Sequence, residues 1–352
     1  MATVNAIASG GEPSRATLQD VAARAGVSAK TVSNVVNGHP HVRPETRERV
    51  LQAMGELHYR VNLSARHLAR GRTGIVALAV PWLSNPYFAE LAHHVIRAAR
   101  REAERGESVT VLIDETHSDL ERERQLVAGV GPQLLDGVII SPQGLTRADL
   151  EALTPMGPLV LLGERIFDGP VDHVAADNVA AARELTAHLL ERGRRRIALV
   201  GFGDQRAGTA QLRRDGIRQA VEAAGLTLDA TLQLPVEGLE REHGMRAARR
   251  LMERPDPPDA VVCFNDVVAV GMLKALSLDG VGVGPGAAVA VTGFDNIPES
   301  GYTVPALTTV DWRTEELAET ALEVLLDRIQ SRRTLRPREI TTPHRLVVRD
   351  SS

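Results

Sequence analysis

The sequence predicts an α/β protein in which a small all-α helix-turn-helix headpiece precedes two doubly wound parallel α/β lobes. Three observations carry this expectation. Two short amphipathic stretches separated by a glycine turn lie near the start of the chain. From Thr73 onward, apolar runs rich in Val, Ile and Leu alternate with amphipathic helical segments, and the 352 residues exceed one ordinary domain. Composition agrees with a globular chain: 43% of residues are hydrophobic and 24% charged, and no apolar run approaches the ~18 residues that span a bilayer, so no membrane partner is expected.

Residues 1–16 carry neither the basic region nor the apolar segment of a secretory signal and read as a disordered tail. The single cysteine, Cys263, excludes an intrachain disulfide and sits in the apolar run 260–264 like a buried strand residue. Both features predict a cytoplasmic protein.

Residues 17–60 form the headpiece. Thr17 is a natural N-cap, and Leu18, Val21, Ala22 and Ala25 make the i, i+3, i+4, i+7 stripe of a short helix that Gly26 ends. Val27 can plug the core, and Ser28 caps a second helix from Ala29 to Val36, closed by Asn37-Gly38. A third helix, from about Arg43 to Leu57, has Pro44 in its first turn and carries Val50, Leu51, Met54 and Leu57 on one face. The following residues, 61–72, are helix-capable but too poor in apolar surface to be stable alone, and read as a hinge.

Beyond the hinge, strands are expected at 74–80, 109–114, 137–141, 159–163, 196–201, 260–264 and 288–293, with helices at 88–105, 180–192 and 216–224 among others. That is more than one sheet usually holds. Two doubly wound lobes follow, with a ligand cleft outside the C-terminal ends of their strands.

Charge is unevenly spread. Between Arg15 and Arg72 there are ten Arg or Lys against four Asp or Glu, a local +6 in a chain whose total is −4. A basic segment on an acidic body suits a polyanion bound locally, because neutralised phosphates release counterions while the body is repelled.

Three blocks of residues resemble the lactose/galactose repressor family, a resemblance that covers nearly everything from Thr17 to Val348. The first is Thr17 to Gly38 followed by Val42-Arg-Pro-Glu-Thr-Arg-Glu-Arg-Val50; the second is Ile75 to Pro81 with Ser84-Asn-Pro-Tyr-Phe88. The third comprises Cys263-Phe-Asn-Asp266, Val291-Thr-Gly-Phe-Asp-Asn-Ile-Pro298 and Pro305-Ala-Leu-Thr-Thr-Val310. The resemblance implies a core like that of periplasmic sugar-binding proteins, crossed three times by the chain, in a homodimer that binds palindromic operator DNA under control of a small-molecule effector, most commonly a sugar. On this scheme 73–176 with 308–335 form the N-terminal lobe, and 177–307 with 336–350 the C-terminal lobe. No heptad tail follows Val348, which predicts a dimer and not a tetramer.

By motif match, Ala29, Lys30 and Asn34 face base edges in the major groove: Lys30 can donate to guanine, Ala29 can touch a thymine methyl, and Asn34 can pair bidentately with adenine. Thr17, Leu18, Ser28, Thr31, Ser33 and Asn37 complete the DNA-facing set, the polar ones as phosphate ligands or helix caps, and His41 and Arg43 can reach the backbone. In the hinge, the resemblance makes Leu68 a minor-groove wedge flanked by Ala65 and Arg66. For the effector it implies Tyr87, Phe88, Ser141, Arg165, Arg213, Asn265 and Asp295. Asp and Arg grip hydroxyls through charge-assisted bonds while aromatic rings cover apolar sugar faces. Two departures stand out: Leu239 occupies a position that is often aromatic in relatives, and Trp312 lies near a position where relatives often have glutamine. Trp82 and Trp312 therefore join the cleft candidates.

Catalysis and cofactors are not expected. Gly201-Phe-Gly-Asp-Gln-Arg206 puts arginine where a dinucleotide fingerprint needs its third glycine, and Gly282, Gly284 and Gly286 precede a strand instead of opening a helix. No histidine pair has metalloprotease spacing, and no Gly-x-Ser-x-Gly elbow is present. A stand-alone sugar-binding protein without a DNA function is the remaining alternative; the headpiece argues against it.

Overall fold

The structure, a computed structural model, describes residues 16–36, 39, 41–59, 72–105, 109–129, 135–153, 157–202, 208–331 and 336–352. It divides into two units, residues 1–73 and 74–352. The first contains α1 (Leu18–Ala25), α2 (Ala29–Val36) and α3 (Pro44–Glu56). A reciprocal capping box starts α1: the Asp20 amide donates to the Thr17 hydroxyl at 3.3 Å, and the Thr17 amide donates to the Asp20 carboxylate at 2.7 Å. Gly26 stops the helix at φ 66, a left-handed conformation that a Cβ would strain. Val21, Val32 and Val50, all fully buried, close the small core with Ala22, Ala25, Val35 and Ala53. The tail at 1–15 and the hinge at 61–71 lie outside the described residues.

In the second unit, one sheet contains β1 (Ile75–Val80), β2 (Thr110–Glu115), β3 (Gly137–Ile140), β4 (Leu159–Leu162), β5 (Asp172–Ala176) and β11 (Glu339–Thr342), in the order β11-β5-β4-β3-β1-β2 and wholly parallel. The other contains β6 (Ile197–Val200), β7 (Gln233–Leu234), β8 (Ala260–Cys263), β9 (Ala290–Phe294), β10 (Thr308–Asp311) and β12 (Arg345–Val347), in the order β12-β10-β9-β8-β6-β7, with only β12 antiparallel. Around the first sheet lie α4 (Pro86–Glu104), α5 (Leu120–Val127), α6 (Arg147–Leu153) and α11 (Thr314–Gln330). Around the second lie α7 (Asn178–Glu191), α8 (Gly208–Ala223), α9 (Arg241–Met252) and α10 (Asp266–Leu278). Both faces of each sheet are covered. Along β1, Val76, Leu78 and Val80 enter one apolar layer while Ala77 and Ala79 enter the opposite one, which is why the strand reads as an unbroken apolar run.

The structure corrects the division between lobes. The strand Thr308–Asp311, expected in the first lobe, pairs with β9 in the second sheet. The strand Glu339–Thr342, expected in the second lobe, pairs with β5 in the first. Only α11 of the 308–335 segment packs with α4 in the first lobe. The reason is physical: Thr-Thr-Val buried on both faces presents the same pattern to either sheet, so periodicity cannot select the partner. Strand β5 also escaped recognition because Asp172 and His173 interrupt its apolar pattern. Asp172 is buried against the guanidinium groups of Arg328 and Arg338; burial works to raise its pKa, but these partners hold it below the ordinary value. Helix α8 begins at Gly208, not Gly216, and so carries Arg213 within it. Among the described residues no helix is long and apolar enough to cross a membrane.

Candidate functional site

Strand order reverses at β1 in the first sheet and at β6 in the second, and at such points the loops leaving the C-terminal strand ends part to leave a crevice. The chain puts its chemistry there. Tyr87 and Phe88 open α4 just after β1, under an Asn85 N-cap that accepts from the Tyr87 amide at 3.1 Å. Ser141 follows β3, Arg165 follows β4, Asn265 follows β8, Asp295 follows β9 and Trp312 follows β10. With Arg213 from α8, all eight expected residues line one cleft of about 1020 Å³, counting its open mouth.

Arg213 organises the second-lobe wall. Its Nε donates to Asn178 Oδ1 at 2.7 Å, its Nη1 donates to the Phe264 carbonyl, and its Nη2 lies 3.9 Å from Asp295. The guanidinium plane lies against the rings of Phe294, Phe264 and Trp312, at 4.3, 4.8 and 5.1 Å from their centroids. Trp312 Nε1 in turn donates to Asp295 at 3.0 Å, fixing a carboxylate whose backbone is held at φ 110, a costly conformation of the kind that clusters at ligand sites. Burial pushes Asp295 up to about 6, against the opposing pull of Arg213 and Trp312. Burial also depresses the Arg213 guanidinium, with Asp295 and Glu164 acting in the other direction. The Tyr87 hydroxyl is driven far up by burial and then by Glu164 and Asp295, so it stays a neutral donor.

Some expected residues have part of their bonding capacity engaged. Asn265 caps α10, its Oδ1 accepting from the Val268 amide at 2.9 Å, which leaves the amide NH₂ as its donor toward the cleft. Arg165 Nε donates to the Leu145 carbonyl at 3.0 Å. Phe88 also packs on the first-lobe core. Leu239 and Trp82 line the cleft as well.

Sequence reasoning missed Glu164, Thr209 and Asn178. Thr209, near the start of α8, donates to Glu164 at 2.8 Å, joining the turn after β4 in the first lobe to the second lobe. Asn178 escaped because it follows β5, the strand whose polar residues hid it; the Asp177-Asn178 pair before an Ala-rich helix was the one available signal.

Below the cleft, Asp266 accepts from the Ile297 amide at 3.1 Å and from the Ser300 and Thr309 hydroxyls, both at 2.6 Å. Burial, then the nearby Asp295, pushes it up to about 8 despite those donors. The folded protein thus holds protons on Asp266 and Asp295 more tightly than the unfolded chain. Their contribution to stability is fully present below about pH 4 and is lost as pH rises through about 6 for Asp295 and about 8 for Asp266. Denaturant midpoints of the full chain should rise as pH falls from about 8 to about 6, and Asp266→Asn should flatten that slope; an unchanged slope would show that Asp266 does not carry it.

In the headpiece, α2 buries Val32 and Val35 while the Lys30 side chain is exposed and Asn34, four residues on, is half-buried on the same face. Ser28 accepts from the Thr31 amide at 3.1 Å and lies 2.9 Å from the Thr31 hydroxyl; with Thr17, it is a helix cap. Leu18, on the inward stripe of α1, is half-buried and packs partly on the headpiece core. Ala29 packs partly on the same core, Ser33 is half-buried, and His41 and Arg43 are exposed. Asn37, Ala65, Arg66 and Leu68 lie outside the described residues.

Comparison with known proteins finds two family models. Residues 17–62 match bacterial regulatory proteins of the lacI family, and residues 186–352 match a periplasmic binding protein-like domain. The chain is 32% identical to the ribose operon repressor of Halalkalibacterium halodurans over 96% of its own length and 97% of that protein's. Among solved structures, it resembles the complex of the transcriptional regulator CelR with cellobiose (32% identity, TM-score 0.66, 96% of this chain and all of that one). It also resembles the lac repressor dimer bound to operator and the anti-inducer ONPF (27% identity, TM-score 0.80, 96% and 99%).

Proposed function

Given that the chain belongs to the lacI family of bacterial regulatory proteins, we propose that its Arg213–Asp295 cleft binds a sugar and that the bound sugar governs how the headpiece holds operator DNA. The protein is a sequence-specific, DNA-binding transcriptional regulator and not an enzyme. One observation supports the effector reading above others: a guanidinium and a carboxylate of the second lobe, packed among aromatic rings, line a cleft at the strand ends of two lobes joined by three crossovers. Such a site offers charge-assisted bonds to hydroxyls and flat apolar surface to a pyranose or furanose face. Cellobiose in the CelR complex supports a sugar as the ligand class.

Two headpieces in a homodimer read inverted half-sites, with Lys30 and Asn34 toward base edges and the caps of α1 and α2 toward phosphates. Leu68, with Ala65 and Arg66, wedges the minor groove between the half-sites. Sugar binding shifts the lobes, and the operator affinity changes by the factor, typically about 5- to 150-fold, by which operator changes sugar affinity. Repression relieved by the sugar is the mode we assign. Operator binding places the working protein in the cytoplasm with the DNA.

Selection of bound palindromes from random DNA, followed by a screen of sugars against that complex, tests the proposal; no enrichment of any palindrome would sink it. On the selected site, Lys30→Ala should cost about 1–3 kcal/mol and relax preference at a single base pair, whereas a lost phosphate contact would weaken all sequences alike. Affinities for the site and its single-base variants, at one salt concentration, separate these outcomes.

A further inference from the structure

His173 on β5 is buried, and both of its ring nitrogens meet acceptors: Nε2 faces the Gly163 carbonyl, and Nδ1 lies 2.5 Å from Glu339 Oε2 on β11. A carbonyl cannot donate, so Nε2 carries a hydrogen. The short Nδ1 contact then needs a second proton, on the ring or on the carboxylate, since two lone pairs would repel. Glu339 Oε1 is occupied by the Asp168 amide at 2.8 Å. The Phe167 ring covers the imidazole edge-on at 5.0 Å. Other charges on the packed elements are Asp172 beside His173, Arg338 before β11 and Arg328 from α11, which pair with one another, and Asp168 at the end of the turn.

The residue being held matters. Gly163, at φ +86, donates its amide to Val174 at 3.3 Å, so the His173 contact fixes the second polar group of the same peptide-bearing residue to β5. The next two residues are Glu164, which receives the Thr209 hydroxyl from the other lobe, and Arg165; both line the cleft. We propose that His173 and Glu339 share a proton that positions the Gly163–Arg165 turn, making His173 a positioning residue for the effector site. Without a hydrogen between them the Nδ1 contact would turn repulsive and release the turn.

The inference rests on the cleft being the effector site, but it can be tested without an effector. The chain has two tryptophans, Trp82 and Trp312, and both line this cleft, so intrinsic fluorescence reports on it. In the full-length protein at one fixed pH, Glu339→Leu and His173→Leu, which cannot share a hydrogen across this contact, should each shift the tryptophan emission from that of wild type. Glu339→Gln can donate its NH₂ to a neutral Nδ1 while still accepting from Asp168, so it should keep the wild-type emission. Emission unchanged in both leucine variants, or shifted alike in Glu339→Gln and Glu339→Leu, overturns the proposal. Cellobiose titrated in parallel separates the two readings: wild type that ignores cellobiose while the leucine variants shift the emission and Glu339→Gln restores it counts against that sugar, not against the proton clamp.

Discussion

Replacing Arg213 with alanine should abolish effector control while leaving operator binding in the absence of effector within a few-fold of wild type. The substitution removes three things at once: the donors that hold Asn178 and the Phe264 carbonyl, the positive charge 3.9 Å from Asp295, and the plane against which Phe264, Phe294 and Trp312 pack. Asp295 is then left buried without its cation. Breaking such a pair typically costs about 3–5 kcal/mol, so affinity for a sugar that needs this wall should fall at least ~100-fold, beyond useful concentrations. The DNA-facing candidates all belong to the headpiece and hinge, outside the unit that contains Arg213. Arg213→Lys should fare little better, because an ammonium lacks the planar fork that satisfies Asn178 and the carbonyl together. Calorimetry with the effector, and anisotropy of a labelled operator with and without it, provide the measurement. Retained effector-driven release in Arg213→Ala would remove Arg213 from the site; a collapse of the fold, checked by thermal melting, would redirect the test to the partner variant Asn178→Ala.

Gly271→Ala should be the most damaging of the conservative substitutions. In the middle of a helix this exchange ordinarily stabilises by about 0.5–1 kcal/mol, but here α9 and α10 cross with their backbones in contact. A Cβ on Gly271 would stand 1.8 Å from the Arg241 carbonyl, and one on Gly244 would stand 2.0 Å from the Val268 carbonyl. Backbone cannot swing aside as a side chain does, so the helices must separate and the layer behind them, with Val268, Met272 and Leu276, must loosen. Overpacking of this kind costs about 1–3 kcal/mol and sometimes more. We expect loss at or above the top of that range and a melting temperature lower by roughly 5–10 °C. Gly55 on α3 is the internal control. Nothing lies within 4 Å of its would-be Cβ, so Gly55→Ala should stabilise the headpiece slightly. Calorimetric melts of the two variants read both predictions, and equal, small effects would show that the α9–α10 crossing yields more easily than its geometry implies.

Local chemistry was legible throughout. Thr17, Gly26 and Ser28 act where cap and turn rules place them, and α2 spans the predicted residues. The apolar strands β1, β3, β4, β6, β8 and β9 all lie within or beside their expected runs. What misled was polar content inside the fold. Asp172 and His173 broke the apolar signature of β5, although both are buried and satisfied, one by two arginines and the other by Glu339 and a carbonyl. Missing β5 also hid Asn178, the partner that orients Arg213.

By itself, the sequence determined the headpiece, the alternation of strands and helices, and the residue types from which a sugar site could be built. Those depend on neighbours within a few positions, where sterics, capping and side-chain periodicity act directly. The tertiary structure alone decided that Thr308–Asp311 joins the second sheet and Glu339–Thr342 the first, and that side chains from Tyr87 to Trp312 meet in one cleft. A strand buried on both faces carries no mark of which sheet receives it. The choice is made by parallel pairing and by the three places where the chain crosses between lobes, and both belong to the packed whole.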